Sequence, residues 1–343
     1  MFKKIKNELI QYEGLQHILG EVEVSSDQLE NIYKYGMVLL GPDAFIQGEV
    51  IDILEFFREN GFELVSLKTK FINKTESETL FLPSSSCVKC GNLKWWMIQD
   101  SANQGVFCSA IFYNDKANLE NNCLTMLNSL KGTSNPIDNK AGVVRFDFSA
   151  INVCLNLIHI PDTYGAFFKD TSPFYSIVDI VKIVNRFHKQ NLELKKFELY
   201  LLQKSTEKYS FERVMYKFKY LLASLLEDED EIKIYYMKKY NEVVSIHDRK
   251  KRISVVKENI KIETQYLEKI AKKIINNNNL EEKSFDKLID KLYILRLLKI
   301  FTIPQLYKSY KKDFFLELRL LGIIADDFEK LILNTSLIQW KEE

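Results

Sequence analysis

Residues 141–162 read AGVVRFDFSAINVCLNLIHIPD, a stretch in which a single arginine, Arg145, stands in apolar text and Asn156 precedes His159 by three residues. The apolar, β-branched residues around them predict extended chain. A strand end is a rigid place from which a guanidinium, an amide and an imidazole can converge. Arginine offers a fork of donors suited to phosphate oxygens. A neutral imidazole carries a nucleophilic lone pair near neutral pH. The stretch therefore predicts a site that holds and attacks a phosphate.

Upstream, Tyr35–Gly41 reads as a buried strand, and Pro42 suits the first turn of a helix. Val50, Ile51, Ile53, Leu54 and Phe57 recur at helical spacing up to Asn60-Gly61, a helix stop. Phe62–Phe71 alternates as a strand, and residues 72–104 read as irregular chain around Pro83, closing with a short helical LKWWMIQ. Gly105–Tyr113 is a further strand, 116–130 a helix, and Gly132–Gly142 a loop rich in Thr, Ser, Asn and Pro. The order is β-α-β-β-α-β, an α+β, ferredoxin-like domain with an antiparallel sheet.

Downstream the composition changes. Eleven of the 12 glycines lie at or before Gly165, and five of the six prolines at or before Pro173. Beyond them the chain is Leu, Ile, Lys, Glu and Tyr with few breakers, which predicts an all-α helical domain. The division is residues 1–32 as a helical extension, 33–171 as the mixed domain and 172–343 as the helical one. Two apolar stripes mark helices of a bundle: Phe211, Val214, Met215, Phe218, Leu221, Leu222 and Leu225, then Phe285, Leu288, Ile289, Leu292 and Leu295. Asn276–Asn279 reads as a linker. Thr302-Ile-Pro-Gln305 has capping-box spacing. The basic run Arg249–Arg252 and the acidic run Glu227–Glu231 read as solvated surface.

With 48 basic and 47 acidic residues, no charge excess calls for nucleic acid or a membrane surface. No apolar run approaches the roughly 18 residues that span a bilayer. The start, MFKKIKNELIQYEGL, reads as helix and not as a signal peptide, so a cytoplasmic protein is expected. Five cysteines suit a reducing compartment. Cys87 and Cys90 form one CxxC with Cys108 as the only obvious third ligand. Zinc is not expected, since its structural sites take four. His17, His188 and His247 read as surface residues, and Trp95-Trp96 as core of a short helix.

At these residues the chain resembles the nucleoside diphosphate kinases, over about residues 33–171. The family's Lys-Pro-Asp-Ala helix start is similar to Gly41-Pro42-Asp43-Ala44, and its second strand to Phe62–Lys68. Its Gly-x-Thr-Asn-Pro loop is similar to Gly132-Thr133-Ser134-Asn135-Pro136, and its Pro-Gly-Thr-Ile-Arg-x-Asp segment to Ala141–Asp147. Its Asn-x-Ile-His-Gly-Ser-Asp signature is similar to Asn156–Asp162. The resemblance implies phosphoryl transfer from a nucleoside triphosphate to a diphosphate through a phosphohistidine at His159, with Mg²⁺ carried on the nucleotide. It implies that Arg145 clamps phosphate oxygens and Asn156 bonds the ribose and phosphate end. Thr133 or Ser134 would supply a hydroxyl, Val153 an apolar wall against the base, and Asp170 the carboxylate that orients the histidine. It also implies oligomers.

The chain departs from the pattern at four places. Gly41 replaces the motif lysine, Asn128 falls where an arginine precedes the loop, Ile160-Pro161 replaces Gly-Ser, and residues 72–104 show no counterpart of the lid aromatics. Lys131, Lys140, Lys68 and Lys94 are candidate replacement cations. These departures keep a second reading open: a catalytically weak or inactive nucleotide-binding sensor whose helical domain engages a partner.

Overall fold

A computed structural model of the chain describes residues 31–85, 95–186, 209–276 and 282–339. The chain divides into two compact units, Met1–Lys208 and Tyr209–Glu343.

The first unit is built on a four-stranded antiparallel sheet of order β2-β3-β1-β4. Strands β1 (Tyr35–Leu40) and β3 (Phe107–Tyr113) are central and buried along their whole length, as their unbroken apolar text requires. Strand β2 (Glu63–Lys70) forms one edge, and β4 (Ile158–His159) the other, with Leu39 opposite His159 and Leu40 opposite Ile158. Between β1 and β2 lie α1 (Pro42–Ile46) and α2 (Val50–Glu59). Pro42 opens α1, and Val50, Ile53, Leu54 and Phe57 of α2 are buried. Helices α3 (Lys74–Ser85) and α4 (Trp95–Ala102) connect β2 to β3, and α5 (Cys123–Lys131) and α6 (Val144–Asp147) lie between β3 and β4. The strands and helices thus follow the expected α+β order.

Several sequence expectations are corrected. Residues 141–157 are not a strand: Val144–Asp147 is one helical turn, and only Ile158–His159 pairs. Local side-chain bonds outweigh β-propensity here. Asp147 accepts from the Gly142 N–H at 3.0 Å, and Asn152 Oδ1 accepts from the N–H groups of Cys154 and Leu155 at 2.9 Å each. Residues 74–85 are helical rather than irregular. Asn73 and Glu76 cap that helix reciprocally, each side chain accepting the other's backbone N–H at 2.9 Å. Helix α5 begins at Cys123, not near 116, because Asn114 and Asn118 hold the preceding residues in turns and Asn122 caps the helix through the Thr125 N–H. Trp95 and Trp96 are half-buried, and the core positions of α4 are Met97 and Ile98.

Helices α7 (Tyr164–Thr171) and α8 (Ile177–Arg186) complete this unit. The composition shift near 171–175 precedes the division between the compact units by a whole helix. Helix α8 has the breaker-poor text of the helical half, but Ile180, Val181 and Val184 join the sheet's core and Tyr35 donates its hydroxyl to the Val184 carbonyl at 3.1 Å.

The second unit is helical: α9 (Phe211–Ser224), α10 (Glu231–Ser245), α11 (Arg249–Asn276), α12 (Glu282–Thr302), α13 (Pro304–Leu320) and α14 (Asp327–Gln339). Phe211, Val214, Met215, Phe218 and Leu222 are buried as expected, whereas Leu221 is half-buried and Leu225 is exposed. On α12 the buried seam is Ile294, Leu295, Leu297, Leu298, Ile300 and Phe301, and Ile289 of the expected stripe is exposed. Thr302 does not cap α13: its hydroxyl donates to the Leu298 carbonyl at 2.9 Å, and Ile303 holds the N-cap position without a side-chain bond. Arg252 is buried against Glu212 at 3.4 Å and the Ile246 carbonyl at 2.9 Å, so the run Arg249–Arg252 is not simply solvated surface. His247 is exposed.

Residues 1–30 of the helical extension expected over 1–32, together with Cys87, Cys90, Lys94, His17, His188 and Asn277–Asn279, lie outside the described residues. Cys108, Cys123 and Cys154 are free thiols. Among the described residues no helix is long and apolar enough to cross a membrane.

Candidate functional site

The candidate site gathers around the end of β4. His159 lies on this strand, with its side chain 32% exposed, and its Nε2 is 2.7 Å from Asp170 Oδ2. Asp170 comes from α7, which Thr163 caps by accepting the Ala166 N–H at 3.1 Å. The Asp170 side chain is only 2% exposed, and its other oxygen is 2.9 Å from Lys169 Nζ in an ion pair. With Nε2 carrying the proton donated to Asp170, the Nδ1 lone pair is left for a reacting group.

Pairing with β1 fixes the direction of the β4 carbonyls. Gly41 N–H bonds the Leu157 carbonyl at 2.8 Å, so by alternation the Ile158 and Ile160 carbonyls face away from β1. Each is taken by a cation. Arg145 donates through Nη2 to Ile158 O at 3.0 Å and through Nη1 to Gly132 O at 3.1 Å, tying the Gly132–Gly142 loop to the strand. Lys131 donates to Ile160 O at 3.2 Å. Both cations resist burial. The Arg145 guanidinium is pushed down to about 10, mainly by desolvation, against the pull of Asp43 and Asp162. The Lys131 ammonium is pushed down to about 8 by desolvation and then by Arg145, and Asp162 opposes the shift.

Arg145 is buried, and its Nε–H has no partner among the described residues. It is a brace between the loop and the histidine strand. Asn156 donates its amide to the Val153 carbonyl at 2.8 Å, a local bond in the turn that leads into β4. The Val153 side chain is half-buried. Thr133 is exposed and donates its hydroxyl to Asn135 O at 2.9 Å, while Ser134 is exposed on the loop. Gly132 is required beneath them. Its φ is +86°, and an added Cβ would meet Asn139 Oδ1 and Val143 Cγ2 at 2.8 Å each.

The departures from the family pattern have physical occupants. A Cβ at Gly41 would lie 2.5 Å from Asp43 Oδ1. The buried Asp43 carboxylate occupies that space and accepts the Leu157 N–H at 2.8 Å, holding a residue whose φ is +70°. Burial pushes Asp43 up to about 6, opposed by backbone N–H groups of Leu157, Asp43 and Ala44 and by Arg145. Asn128 donates to the carbonyls of Leu124 at 3.0 Å and Pro161 at 2.9 Å, bracing the segment after the histidine. Lys68 donates to Phe174 O at 3.1 Å and lies over the Tyr175 ring, so it is engaged at the start of α8. Lys140 is exposed.

Sequence reasoning missed Phe81, Lys169 and the carboxylate of Asp43. Phe81, on α3, meets the His159 ring edge-on with centroids 6.2 Å apart. The Asn-x-x-Glu spacing at Asn73–Glu76 was the signal for the helix that carries it. Among the described residues, no group of three or more His, Cys, Asp or Glu is placed to hold a metal ion.

No protein-family model matches the chain. Among characterised proteins, it is similar to the nucleoside diphosphate kinase of Fervidobacterium nodosum, 28% identical over 144 residues, which cover 42% of this chain and 90% of that protein. It is likewise similar to the nucleoside diphosphate kinase of Sulfurimonas denitrificans, 26% identical over 125 residues, covering 36% of this chain and 82% of that one. Among solved structures, the nucleoside diphosphate kinase of Encephalitozoon cuniculi is similar at 17% identity over 49% of this chain and 99% of that chain, with a TM-score of 0.37. The first unit thus contains a divergent nucleoside diphosphate kinase-like domain, and the remainder of the protein includes an all-α region.

Proposed function

We propose that this domain is a nucleotide phosphotransferase that moves the γ-phosphoryl group of a nucleoside triphosphate through a phosphohistidine at His159. The observation that carries the reading is the 2.7 Å bond from His159 Nε2 to the buried carboxylate of Asp170. It fixes the ring and leaves Nδ1 as the nucleophile. The Nδ1 lone pair forms the N–P bond as the bond from the γ-phosphorus to the bridging oxygen breaks, and the electron pair leaves with the nucleoside diphosphate. The imidazole gains positive charge, which Asp170 offsets. An oxygen of an acceptor diphosphate then takes the phosphoryl group and frees the ring. The nucleotide would bring Mg²⁺ with it, which would neutralise phosphate charge there. Arg145 supplies field from beneath the strand, and Asn156 faces the ribose and phosphate end. Transfers of this kind rest mainly on positioning and charge neutralisation.

A second reading is nucleotide binding without turnover, with the helical unit engaging a partner. Gly41 and Asn128 favour it, because losing one preorganised donor typically lowers a rate by about 10²–10³. Oligomeric assembly and a cytoplasmic location accompany either reading.

The test is incubation of the full chain with γ-labelled ATP, beside His159→Ala. Acid-labile, base-stable label on the wild type and none on the variant supports phosphotransfer. Unlabelled wild-type protein that still binds ATP leaves the second reading. Absence of both removes the nucleotide site.

A further inference from the structure

Lys131 is one helical turn beyond Asn128 on α5, so the two side chains share a face. Both reach the segment after His159, Asn128 to Pro161 O and Lys131 to Ile160 O. The longer side chain therefore carries a positive charge to the strand edge where the shorter one carries only an amide. The Lys131 side chain is 16% exposed, so part of it reaches solvent beside the segment that follows His159. An ammonium has three N–H donors, and Ile160 O takes one. Asp162, 3.7 Å away and 86% exposed, pairs with it and offsets its charge in part, an ion pair that solvent weakens.

We propose that Lys131 contacts the phosphates of the bound nucleotide, replacing from one turn further along α5 the positive charge absent at Gly41 and Asn128. The inference rests on the nucleotide reading above. Arg145 cannot take the role directly, since it is buried and holds two carbonyls. Of the three Lys131 donors, two turn to the Ile160 carbonyl and Asp162 and one is left for a phosphate, and Arg145 behind it raises the field that an arriving phosphate relieves. The groups facing Lys131 are Arg145 from α6, Asp162 after β4 and the Ile160 carbonyl. Its depressed proton affinity, near 8, follows from that setting and gives the contact a pH signature.

The experiment is calorimetric titration of the full chain with Mg·ATP and with adenosine, for the wild type, Lys131→Met and Lys131→Arg. A charge-assisted bond of about 1.5–3 kcal/mol corresponds to about a 10- to 100-fold loss of ATP affinity in Lys131→Met. Adenosine binding should not change, and Lys131→Arg should stay within about threefold of wild type for ATP. From pH 7 to about pH 9 the wild type should lose most of this increment, while Lys131→Arg should not. If Lys131→Met does not fold, the arginine variant and the pH series decide the matter. ATP affinity within about twofold of wild type in Lys131→Met, or a wild-type affinity flat to pH 9, overturns the proposal. A wild-type chain that binds no ATP overturns it together with the nucleotide reading. Label at His159 that is indifferent to Lys131 overturns it alone.

Discussion

Each unit of the molecule buries a carboxylate against a nitrogen base, Glu263 against Lys219 in one and Asp170 against His159 in the other, and these two pairs are closed to different degrees. In the helical unit Glu263 and Lys219 are both 0% exposed and 2.5 Å apart. Glu263 also accepts from Tyr216 at 2.5 Å and lies 3.4 Å from the Thr302 hydroxyl, and the Lys219 ammonium sits over the Tyr216 ring. Desolvation pushes the Lys219 ammonium down and the Tyr216 phenol up. In the first unit Asp170 is sealed, yet His159 keeps a third of its side chain in solvent and one ring nitrogen without a partner role. A pair sealed from solvent, with its carboxylate bonded from three sides, ties α9, α11 and α12 together. A pair with one valence left open is equipped for chemistry.

Breaking the closed pair should produce the largest effect. Glu263→Ala strands an ammonium in the core and should cost about 3–5 kcal/mol in urea unfolding, while Glu263→Leu with Lys219→Met should recover most of it. A loss below about 1 kcal/mol for the single variant would show that the pair does not hold the unit together.

Asp43 sharpens the contrast, being a buried carboxylate held by backbone N–H groups. Its folded value is about 6, against about 4 in an unfolded chain. Between those values the folded chain holds more protons, so stability falls as pH rises through that window. The contribution reaches roughly 3 kcal/mol. Asp43→Asn should flatten this part of the stability profile from pH 4 to 6, and an unchanged slope would remove Asp43 as its source.

For the open pair, Asp170→Asn should slow labelling of His159 by about 10²-fold with little change in ATP affinity, because the ring loses its orienting and charge-balancing partner. Equal labelling rates would reduce Asp170 to a packing residue. The smallest effect is expected at Phe81→Leu, which gives up an edge-on ring contact worth about 0.5–1.5 kcal/mol. Thermal unfolding would register it as a shift of a few degrees at most.

The sheet was legible because β1 and β3 are buried on both faces and say so in continuous apolar text. The pairing of His159 with Asp170 was reachable by resemblance and counting, since an eleven-residue spacing from strand to helix carried it. The run from Ala141 to Leu157 was not legible. Its Val, Ile and Phe suggest a strand, and the opposing vote lies in side chains such as Asp147 and Asn152 that turn back on their own backbone. Helix α3 was hidden by Pro83 and the serines, although Asn73 and Glu76 announced its start. In the helical unit, periodicity placed the stripes but not the buried charges. Lys219, Glu263 and Arg252 look like surface residues in text, and only tertiary partners make their burial tolerable.

The two cations on the outer carbonyls of β4 also bear on how the sheet ends. An edge strand with vacant carbonyls is a template on which another chain can lay a strand. Here the carbonyls of Ile158 and Ile160 are already engaged by Arg145 and Lys131, so the sheet stops at four strands beside its most chemically equipped residue. On the reading proposed above, protection of the sheet edge and contact with phosphate share these side chains, and variants at either should be compared over a dilution series, so that self-association is not mistaken for a lost nucleotide contact.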